Sequence, residues 1–346
     1  MTNNIDYTRL SREIGLTAVA PSINLRGRVV VITGGADGIG GALTRAAHLY
    51  GAKVVAIDVQ GDKLRDLKIE LGDRFFGVKR NLIHPMDAGF RDALAEVCGR
   101  FGKVDAYVMN AGAIKLFDKT RAKDLISTPA QELRDLMQLN ALSHLEMFQV
   151  LHPYLMKSDA GRVVTTSSPI VGRNDLHTLG YALSKRALGD IAFHMQKQME
   201  GTNVLVSGYV PPPVQNWLRA DLKNEPFGAN ALPQDIIELP LRLMSADLLA
   251  VHNGKMFVYV DKRSDVRDDA GKLLYQFNQR TENGLDLGIR TRPLNIGGGI
   301  EGSEFIKSYD TWNSRQLAEC DPIPPIDAHR PLLTAFAPPA YIAAHR

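Results

Sequence analysis

The sequence has few cysteines, no long apolar run and no excess of one charge, and each absence excludes a class of protein. Its two cysteines, Cys98 and Cys320, are far apart among 346 residues, which favours reduced thiols in a cytoplasmic protein over a disulfide framework. No apolar run approaches the length of a membrane span, and the polar start after Met1 is unlike a secretory signal. Lys and Arg number 41 against 38 Asp and Glu, a formal charge of +3, which argues against nucleic acid or an anionic membrane as the main partner.

Three common catalytic motifs are also missing. The sequence contains no Walker-type phosphate loop, no Gly-x-Ser-x-Gly and no paired-histidine zinc motif, so triphosphate hydrolysis, serine hydrolysis and metal chemistry are not indicated. Hydrophobic residues make up 45% of the chain and charged residues 23%, as in an ordinary globular protein. The length allows one large α/β domain or two small ones.

Strand-like and helical patterns alternate through the middle of the chain. The strand-like runs cover residues 29–32, 53–57, 74–78, 104–109, 162–167, 203–210 and 255–260, with helical patterns between them. Near-continuous apolar strands between amphipathic helices predict an α/β fold with a doubly wound parallel sheet of about seven strands, covered by helices on both faces. Residues 1–24 are interpreted as an N-terminal arm, residues 25–262 as one domain, and residues 263–346 as an irregular C-terminal extension that packs on the core or on a neighbouring subunit.

A glycine-rich turn at residues 33–40 follows the first strand directly and precedes a helical pattern. This arrangement places backbone N–H groups at a helix N-terminus, where they bind phosphate, as in a Rossmann-type fold. Gly34 would permit the tight turn, Gly38 the close approach of a pyrophosphate, and Gly40 the close packing of helix on strand. Three glycines near a turn are also compatible with an ordinary turn, so this element alone favours dinucleotide binding only modestly.

An acid ends the second strand and bears on the choice of cofactor. Asp58 lies 18 positions after Gly40, where a carboxylate can accept hydrogen bonds from the adenosine ribose and would repel a 2′-phosphate. Asp37, inside the glycine turn, acts in the same direction, so NAD is favoured over NADP. A solvated carboxylate at a strand end is the alternative interpretation of Asp58.

Four further polar residues are candidates for the chemistry. Tyr181 and Lys185 are four residues apart in a helical pattern, which places them on one face, where the lysine charge favours the phenolate and lowers the tyrosine pKa from its usual value of about 10. A tyrosine tuned in this way can exchange a proton with an alcohol or a carbonyl. Ser168 follows the fifth strand, where it could hold a substrate oxygen, and Asn140 interrupts an apolar helical stretch. A half-exposed helix face and a structurally satisfied asparagine are the alternatives.

Taken together, these motifs resemble the short-chain dehydrogenase/reductase family, in its compact subgroup. Its Thr-Gly-x-x-x-Gly-x-Gly pattern begins at Thr33, and its Asn-Asn-Ala-Gly element appears at 109–112 with Met109 in place of the first Asn. The resemblance covers residues 25–262. The family's catalytic tetrad would be Asn140, Ser168, Tyr181 and Lys185. The cofactor contacts that it implies are Gly34, Asp37, Gly38, Ile39, Gly40, Asp58, Asn81, Leu82, Asn110, Ala111, Gly112, Tyr181, Lys185, Pro211 and Val214.

The chain departs from the family pattern at three places. Asn81 replaces the aspartate that usually binds adenine, and Pro212 replaces the glycine that usually follows the sixth strand, which changes the backbone near the nicotinamide. The family normally ends soon after the seventh strand, whereas more than eighty residues follow here.

The resemblance implies an NAD-dependent oxidoreductase that interconverts a secondary alcohol and a ketone. Ser168 would orient the substrate oxygen, Tyr181 would exchange the proton, Lys185 would lower the tyrosine pKa and bind the nicotinamide ribose, and Asn140 would position a water. The alternatives are a carbonyl reductase working mainly in the reductive direction and a non-catalytic dinucleotide-binding protein. An epimerase or dehydratase of the extended subgroup would require a different glycine spacing.

The substrate and the assembly are less closely defined. Pro169, His177 and Trp217 are candidate substrate contacts, and aromatic residues around Trp217 favour a ring-containing or bulky substrate; a solvated loop histidine is the alternative for His177. Apolar residues on more than one face of the helix that carries Tyr181 predict a homodimer or homotetramer.

Overall fold

The structure is a computed structural model of the chain. It describes residues 23, 25–114, 126, 128–172, 178–212, 214, 233, 236–248, 250, 253–261 and 287–293. Within these residues, no helix is both long enough and apolar enough to cross a membrane.

The strands are β1 (Val29–Thr33), β2 (Lys53–Asp58), β3 (Phe75–Lys79), β4 (Ala106–Met109), β5 (Arg162–Thr166), β6 (Leu205–Val210), β7 (Lys255–Asp261) and β8 (Leu287–Pro293). They form one sheet whose order is β3-β2-β1-β4-β5-β6-β7-β8. Strands β1 to β7 are mutually parallel. Their β-branched residues suit a buried pleated surface. The predicted seven-stranded parallel sheet is therefore confirmed.

Helices cover both faces of the sheet, as the alternation predicts. Residues such as Val30 and Ile32 face a core formed with the helices at 38–49, 61–71 and 238–244. The alternate residues Val29 and Val31 face a core formed with the helices at 88–99, 143–155 and 179–198, because successive side chains of a strand point to opposite faces. The helices are α1 (Gly38–Leu49), α2 (Gly61–Leu71), α3 (Ala88–Gly99), α4 (Ala130–Met137), α5 (Ser143–Leu155), α6 (Leu179–Gln198) and α7 (Glu238–Met244), with a π-helical segment at Gln138–Leu142.

The strand order reverses between β1 and β4, which lie side by side although two strands separate them in sequence. At such a reversal the connections leave β1 and β4 toward opposite faces of the sheet and open a crevice at the carboxyl ends of the strands. Thr33 and Met109 end these two strands. The glycine turn and the residues 110–112 therefore meet at the edge where ligands bind in folds of this type.

An eighth strand lies inside the segment for which the sequence shows no strong periodicity. Strand β8 pairs antiparallel with β7, with Leu287 opposite Asp261 and Pro293 opposite Lys255. Strand β7 is therefore not the edge of the sheet. A single short strand with a glycine and two arginines carries little alternation, which explains why the pattern of residues 263–346 did not indicate it. The division of the chain into arm, domain and extension stays a prediction.

The described cysteine lies in the core. Cys98 is buried on α3, and burial raises the pKa of its thiol to about 12, so the thiol stays protonated. Cys320 lies outside the described residues, and the reduced state of both thiols stays a prediction.

Candidate active site

The glycine turn joins β1 to α1 through two residues in the left-handed region. Gly34 has φ +65° and Gly38 has φ +55°, a conformation that side chains with a Cβ rarely adopt. Helix α1 begins at Gly38, and Asp37 is its N-cap, with Oδ1 accepting from Gly38 N at 2.8 Å. Ile39 follows in the first turn. The first N–H groups of a helix have no acceptor within it, so the N-terminus of α1 can hold an anion.

Gly40, in the first turn of α1, packs tightly against the turn that follows β1. A Cβ at this position would lie 2.0 Å from Gly34 O and 2.6 Å from Asn110 Nδ2, distances that no real Cβ contact shows. The turn can be this tight because the residue has no side chain. The left-handed glycines, the helix N-terminus and this packing fit a dinucleotide pyrophosphate.

Hydrogen bonds from Thr33 join the end of β1 to the loop after β4. Its hydroxyl donates to Val108 O at 3.1 Å and accepts from Asn110 N at 3.0 Å and Ala111 N at 3.1 Å. The Asn110 amide in turn donates to Thr33 O at 3.0 Å and to Gly34 O at 3.3 Å. These hydrogen bonds hold the end of β1 and the loop after β4 together at the crevice.

The two acidic residues assigned to cofactor choice have different environments. Asp58 is 7% exposed, and its carboxylate accepts from Ala36 N at 3.0 Å and from Gln60 N at 2.9 Å, with lone pairs left for other donors. Asp37 forms an ion pair with Lys63. Lys63 therefore balances the charge of Asp37.

The other predicted cofactor residues lie along the same edge. Asn81 follows β3 and accepts from Ile83 N at 3.1 Å through Oδ1, beside the buried Leu82. Pro211 follows β6, and the buried Val214 lies three residues beyond it. Pro213 lies outside the described residues.

Tyr181 and Lys185 lie one turn apart on α6, as their spacing predicts. Lys185 is 3% exposed, its Nζ donates to Thr166 O at 2.9 Å, and Nζ lies 6.0 Å from the centroid of the Tyr181 ring. Burial lowers the pKa of Lys185 to about 8 from its ordinary 10.5. The phenol ring and the ammonium are therefore neighbours on one face of α6.

Asn140 lies fully buried in the π-helical segment and clamps the loop after β4. Its Oδ1 accepts from Ala113 N at 2.8 Å, and its Nδ2 donates to Ala113 O at 2.8 Å and to Ser184 Oγ at 2.9 Å. A π-helical turn inside a helix is often associated with a functional site. Gly112 packs against both Asn140 and Lys185, since a Cβ at position 112 would lie 3.0 Å from Asn140 Oδ1 and 3.3 Å from Lys185 Nζ.

Ser168 lies just past β5 and is 8% exposed. Its Oγ accepts from Ile170 N at 3.3 Å at the start of a short 3-10 turn (Pro169–Gly172). Pro169, a predicted substrate contact, is therefore next to Ser168. His177 and Trp217 lie outside the described residues. Among the described residues, no group of three or more His, Cys, Asp and Glu side chains could hold a metal ion.

The structure adds two polar side chains that sequence reasoning did not select. Ser184 accepts from Asn140 and donates to Tyr181 O at 2.9 Å. His144 is fully buried on α5 and lies against Ala111 O, with Nε2 at 3.0 Å. Each has a signal in the sequence: Ser184 directly precedes Lys185, and His144 lies four residues after Asn140, on the same helical face.

Lys185 should make the protein more stable as the pH rises. Between its folded pKa of about 8 and its ordinary 10.5, the unfolded chain binds more protons than the folded one. The free energy of unfolding therefore increases with pH, by at most about 1.4 kcal/mol per unit. This contribution is complete above the unfolded pKa and is lost as the pH falls through about 8.

Urea denaturation of the wild type and of Lys185→Met, near pH 8 and about pH 10, measures this effect. The stability of the wild type relative to the variant should grow over that interval. A constant difference would contradict the assigned burial of the ammonium.

Comparison with known proteins decides the family. A family model for short chain dehydrogenase matches residues 28–226. The chain belongs to the short-chain dehydrogenase family. The resemblance identified from the motifs is confirmed, and the chain is an oxidoreductase of a family that binds nicotinamide dinucleotides.

Curated relatives and solved structures agree with this assignment. Fluoren-9-ol dehydrogenase of Terrabacter sp. is 26% identical over 328 residues, which cover 85% of this chain and 92% of that enzyme. The 7alpha-hydroxysteroid dehydrogenase of Escherichia coli K12 is 26% identical over 243 residues, covering 65% and 89%. A short-chain dehydrogenase structure from Pseudomonas syringae has a TM-score of 0.61 at 26% identity, covering 68% and 95%. A structure from Escherichia coli CFT073 complexed with NADPH has a TM-score of 0.58 at 25% identity, covering 65% and 93%.

Proposed function

We propose that this dehydrogenase is an NAD-dependent enzyme that interconverts a secondary alcohol and a ketone, with Tyr181 as the acid and base. The observation that carries the proposal is the position of Lys185, whose buried Nζ lies 6.0 Å from the Tyr181 ring centroid beside the strand end that bears Ser168. A phenol next to a lysine ammonium and a serine hydroxyl is suited to moving a proton to or from an alcohol oxygen.

The roles of the side chains follow from their surroundings. When bound, the nicotinamide ring accepts or supplies the hydride. Ser168 donates a hydrogen bond to the substrate oxygen and orients it, and Tyr181 takes the hydroxyl proton in oxidation or returns it in reduction. The Lys185 ammonium has three donors, of which one is used by Thr166 O, so it can also hold the nicotinamide ribose hydroxyls.

Asn140 is proposed to act through the loop after β4 and through water. Its amide already bonds to Ala113 and Ser184, so a water linked to Lys185 would use the remaining lone pair of Oδ1 or the backbone carbonyl of Asn140. The proposed cofactor contacts are those predicted from the sequence, with residues 34–40 at the pyrophosphate, Asp58 at the adenosine ribose, Asn81 and Leu82 at the adenine, and residues 110–112 with Pro211 and Val214 at the nicotinamide end.

NAD is proposed over NADP because of Asp58. This buried carboxylate ends β2, and no lysine or arginine directly follows it to hold a phosphate. Some relatives carry the other cofactor, as the structure with NADPH illustrates. The choice is therefore argued from the residues of this chain.

An Asp58→Asn variant should discriminate less between the two cofactors. It keeps an oxygen acceptor for Ala36 N or Gln60 N but removes the negative charge that repels a 2′-phosphate. We expect the ratio of the NAD and NADP dissociation constants to shift toward NADP by roughly tenfold or more, which corresponds to about 1.4 kcal/mol. Calorimetric titration with each cofactor measures the ratio, and Asp62→Asn on the exposed start of α2 is the control. An unchanged ratio would refute the assignment.

A ring-containing secondary alcohol is the proposed substrate class. Fluoren-9-ol dehydrogenase and 7alpha-hydroxysteroid dehydrogenase are named for alcohols on fused rings. The alignment with the former covers more of the chain than residues 25–262 comprise, so part of the predicted arm or extension is shared with it. Trp217 and His177 stay candidate substrate contacts, as predicted from the sequence.

The direct test mixes the pure protein with NAD and a panel of secondary alcohols, including fluoren-9-ol, a hydroxysteroid and a short acyclic alcohol, and follows NADH formation. We expect turnover of at least one fused-ring alcohol, faster than of the acyclic one. No turnover of any alcohol with NAD or NADP would overturn the proposal.

A carbonyl reductase working mainly in the reductive direction is the second candidate. Its support is the 3-oxoacyl-[acyl-carrier-protein] reductases among the relatives, such as that of Thermotoga maritima at 25% identity. Comparing oxidation with NAD against reduction of the matching ketone with NADPH separates the two.

A cytoplasmic homodimer or homotetramer is also proposed, as the sequence predicts. Leu183, 41% exposed on α6, would be part of the contact surface.

A further inference from the structure

A buried polar chain of three groups lies behind the loop that follows β4. Tyr107 on β4 and His144 on α5 are both fully buried. Tyr107 Oη lies 3.2 Å from His144 Nδ1, and His144 Nε2 lies 3.0 Å from Ala111 O. These contacts join a strand, a helix and a loop that are separated by 33 to 37 positions in sequence.

The chemistry of the partners decides which ring nitrogen carries the proton. A carbonyl oxygen only accepts hydrogen bonds, so Nε2 must be the N–H that donates to Ala111 O. The neutral ring then has an unprotonated Nδ1, which accepts from the Tyr107 hydroxyl. Every polar atom of the ring is used, and the imidazole has one orientation that satisfies both neighbours.

Ala111 is the residue on which these bonds converge. Its N–H donates to Thr33 Oγ1 at 3.1 Å, so both of its backbone groups are anchored, one to the end of β1 and one to α5. The next residue, Gly112, lies so close to Lys185 that a Cβ there would be 3.3 Å from Nζ. A displacement of the Ala111 carbonyl would therefore reach the lysine that faces Tyr181.

We infer that His144 is a positioning residue, which holds the Ala111 carbonyl and thereby keeps residues 110–112 packed against Lys185 at the hydride-transfer site. The inference deepens the proposed function and rests on it for its kinetic consequence. Tyr107 supports the ring from behind by occupying Nδ1.

The ring does not act as an acid or a base. Burial and the nearby Lys185 lower the pKa of His144 to about 3, and burial raises the pKa of Tyr107 well above its ordinary value. Both groups therefore stay neutral at working pH, and what they contribute is geometry. A neutral imidazole also places no second positive charge beside Lys185.

Two variants separate positioning from packing. In His144→Gln the amide nitrogen replaces Nε2 and can still donate to Ala111 O. In His144→Asn the amide is too short and leaves that buried carbonyl unbonded. Both lose the packing of the ring, and His144→Asn should lose about 1 to 3 kcal/mol more stability because it leaves the carbonyl unbonded. We expect kcat to fall roughly 10- to 100-fold in His144→Asn, with KM for the alcohol little changed, and the glutamine variant to recover most of this loss. His152→Gln, on the same helix, is the control.

Amide hydrogen exchange gives a readout that does not depend on turnover. The amides of residues 110–113 should exchange about tenfold faster in His144→Asn than in the wild type or in His144→Gln. Nitrogen NMR of the wild type at neutral pH should show a protonated Nε2 and an unprotonated Nδ1.

The outcomes distinguish this inference from the proposed function. Equal exchange and equal kcat in the two variants, or the opposite tautomer, would overturn the role of His144. If the wild type oxidises no alcohol, the proposed function fails, whereas the exchange comparison still decides whether His144 holds the loop.

Discussion

A Tyr181→Phe variant is expected to lose turnover by roughly 10²- to 10⁴-fold, the range that a single acid–base group contributes, while binding NAD nearly as well as the wild type. The phenyl ring fills the same volume on α6 but has no proton to exchange with the substrate oxygen. Steady-state oxidation of a secondary alcohol and calorimetric titration of NAD measure the two quantities separately. The wild-type rate in the variant would remove Tyr181 from the mechanism.

Tyr154→Phe is the matched control for that experiment. Tyr154 also lies on a helix, α5, and its hydroxyl donates to Ala95 O at 3.0 Å, away from the crevice. The change should cost about 1 kcal/mol of stability through the lost hydrogen bond and leave turnover unaltered. A loss of turnover in both variants would indicate a general effect of removing a tyrosine hydroxyl.

Gly40→Ala is expected to have the largest effect on cofactor binding and stability together. The new methyl group would lie 2.0 Å from Gly34 O and 2.6 Å from Asn110 Nδ2, and the Gly34 backbone cannot move without opening the turn. We expect a loss of about 3 kcal/mol or more in the free energy of unfolding. NAD binding should weaken by roughly 100-fold or more, about 2.7 kcal/mol.

Gly89→Ala tests whether the effect of Gly40→Ala is specific to position 40. Gly89 also lies in the first turn of a helix, α3, but a Cβ there would meet only Asp87 Oδ1, at 3.5 Å. Alanine is the better helix former by about 0.5 to 1 kcal/mol, so this variant should be as stable as the wild type or more so. Thermal unfolding measures the stability of both variants, and NAD titration measures their affinity for the cofactor. A Gly40→Ala protein that binds NAD normally would contradict the close packing.

Most of the fold was predictable because it depends on local patterns. Every strand-like apolar run became a strand of the parallel sheet, since a run such as residues 29–32 is hydrophobic on both faces and can only be buried between helix layers. The glycine spacing and the Tyr181–Lys185 spacing were equally readable, because a tight turn and a shared helical face each depend on a few adjacent residues.

The partners of the site residues could not be predicted from their neighbours in sequence. Lys63, which balances Asp37, is 26 positions away, and Ala113, which occupies the Asn140 amide, is 27 positions away. The bond between His144 and Ala111 spans 33 positions. No local pattern encodes such contacts, because sheet order and helix packing bring these residues together.

The sequence alone was therefore enough for the parallel α/β sheet, the glycine turn and the shared helical face of Tyr181 and Lys185, all of which rest on short spacings that backbone geometry imposes. The tertiary structure decided which charges are balanced, how residues 110–113 are held between Thr33, Asn140 and His144, and that β8 covers the edge of β7. Each of these depends on groups distant in the chain, whose separation in space is set only when the whole sheet and its helices have packed.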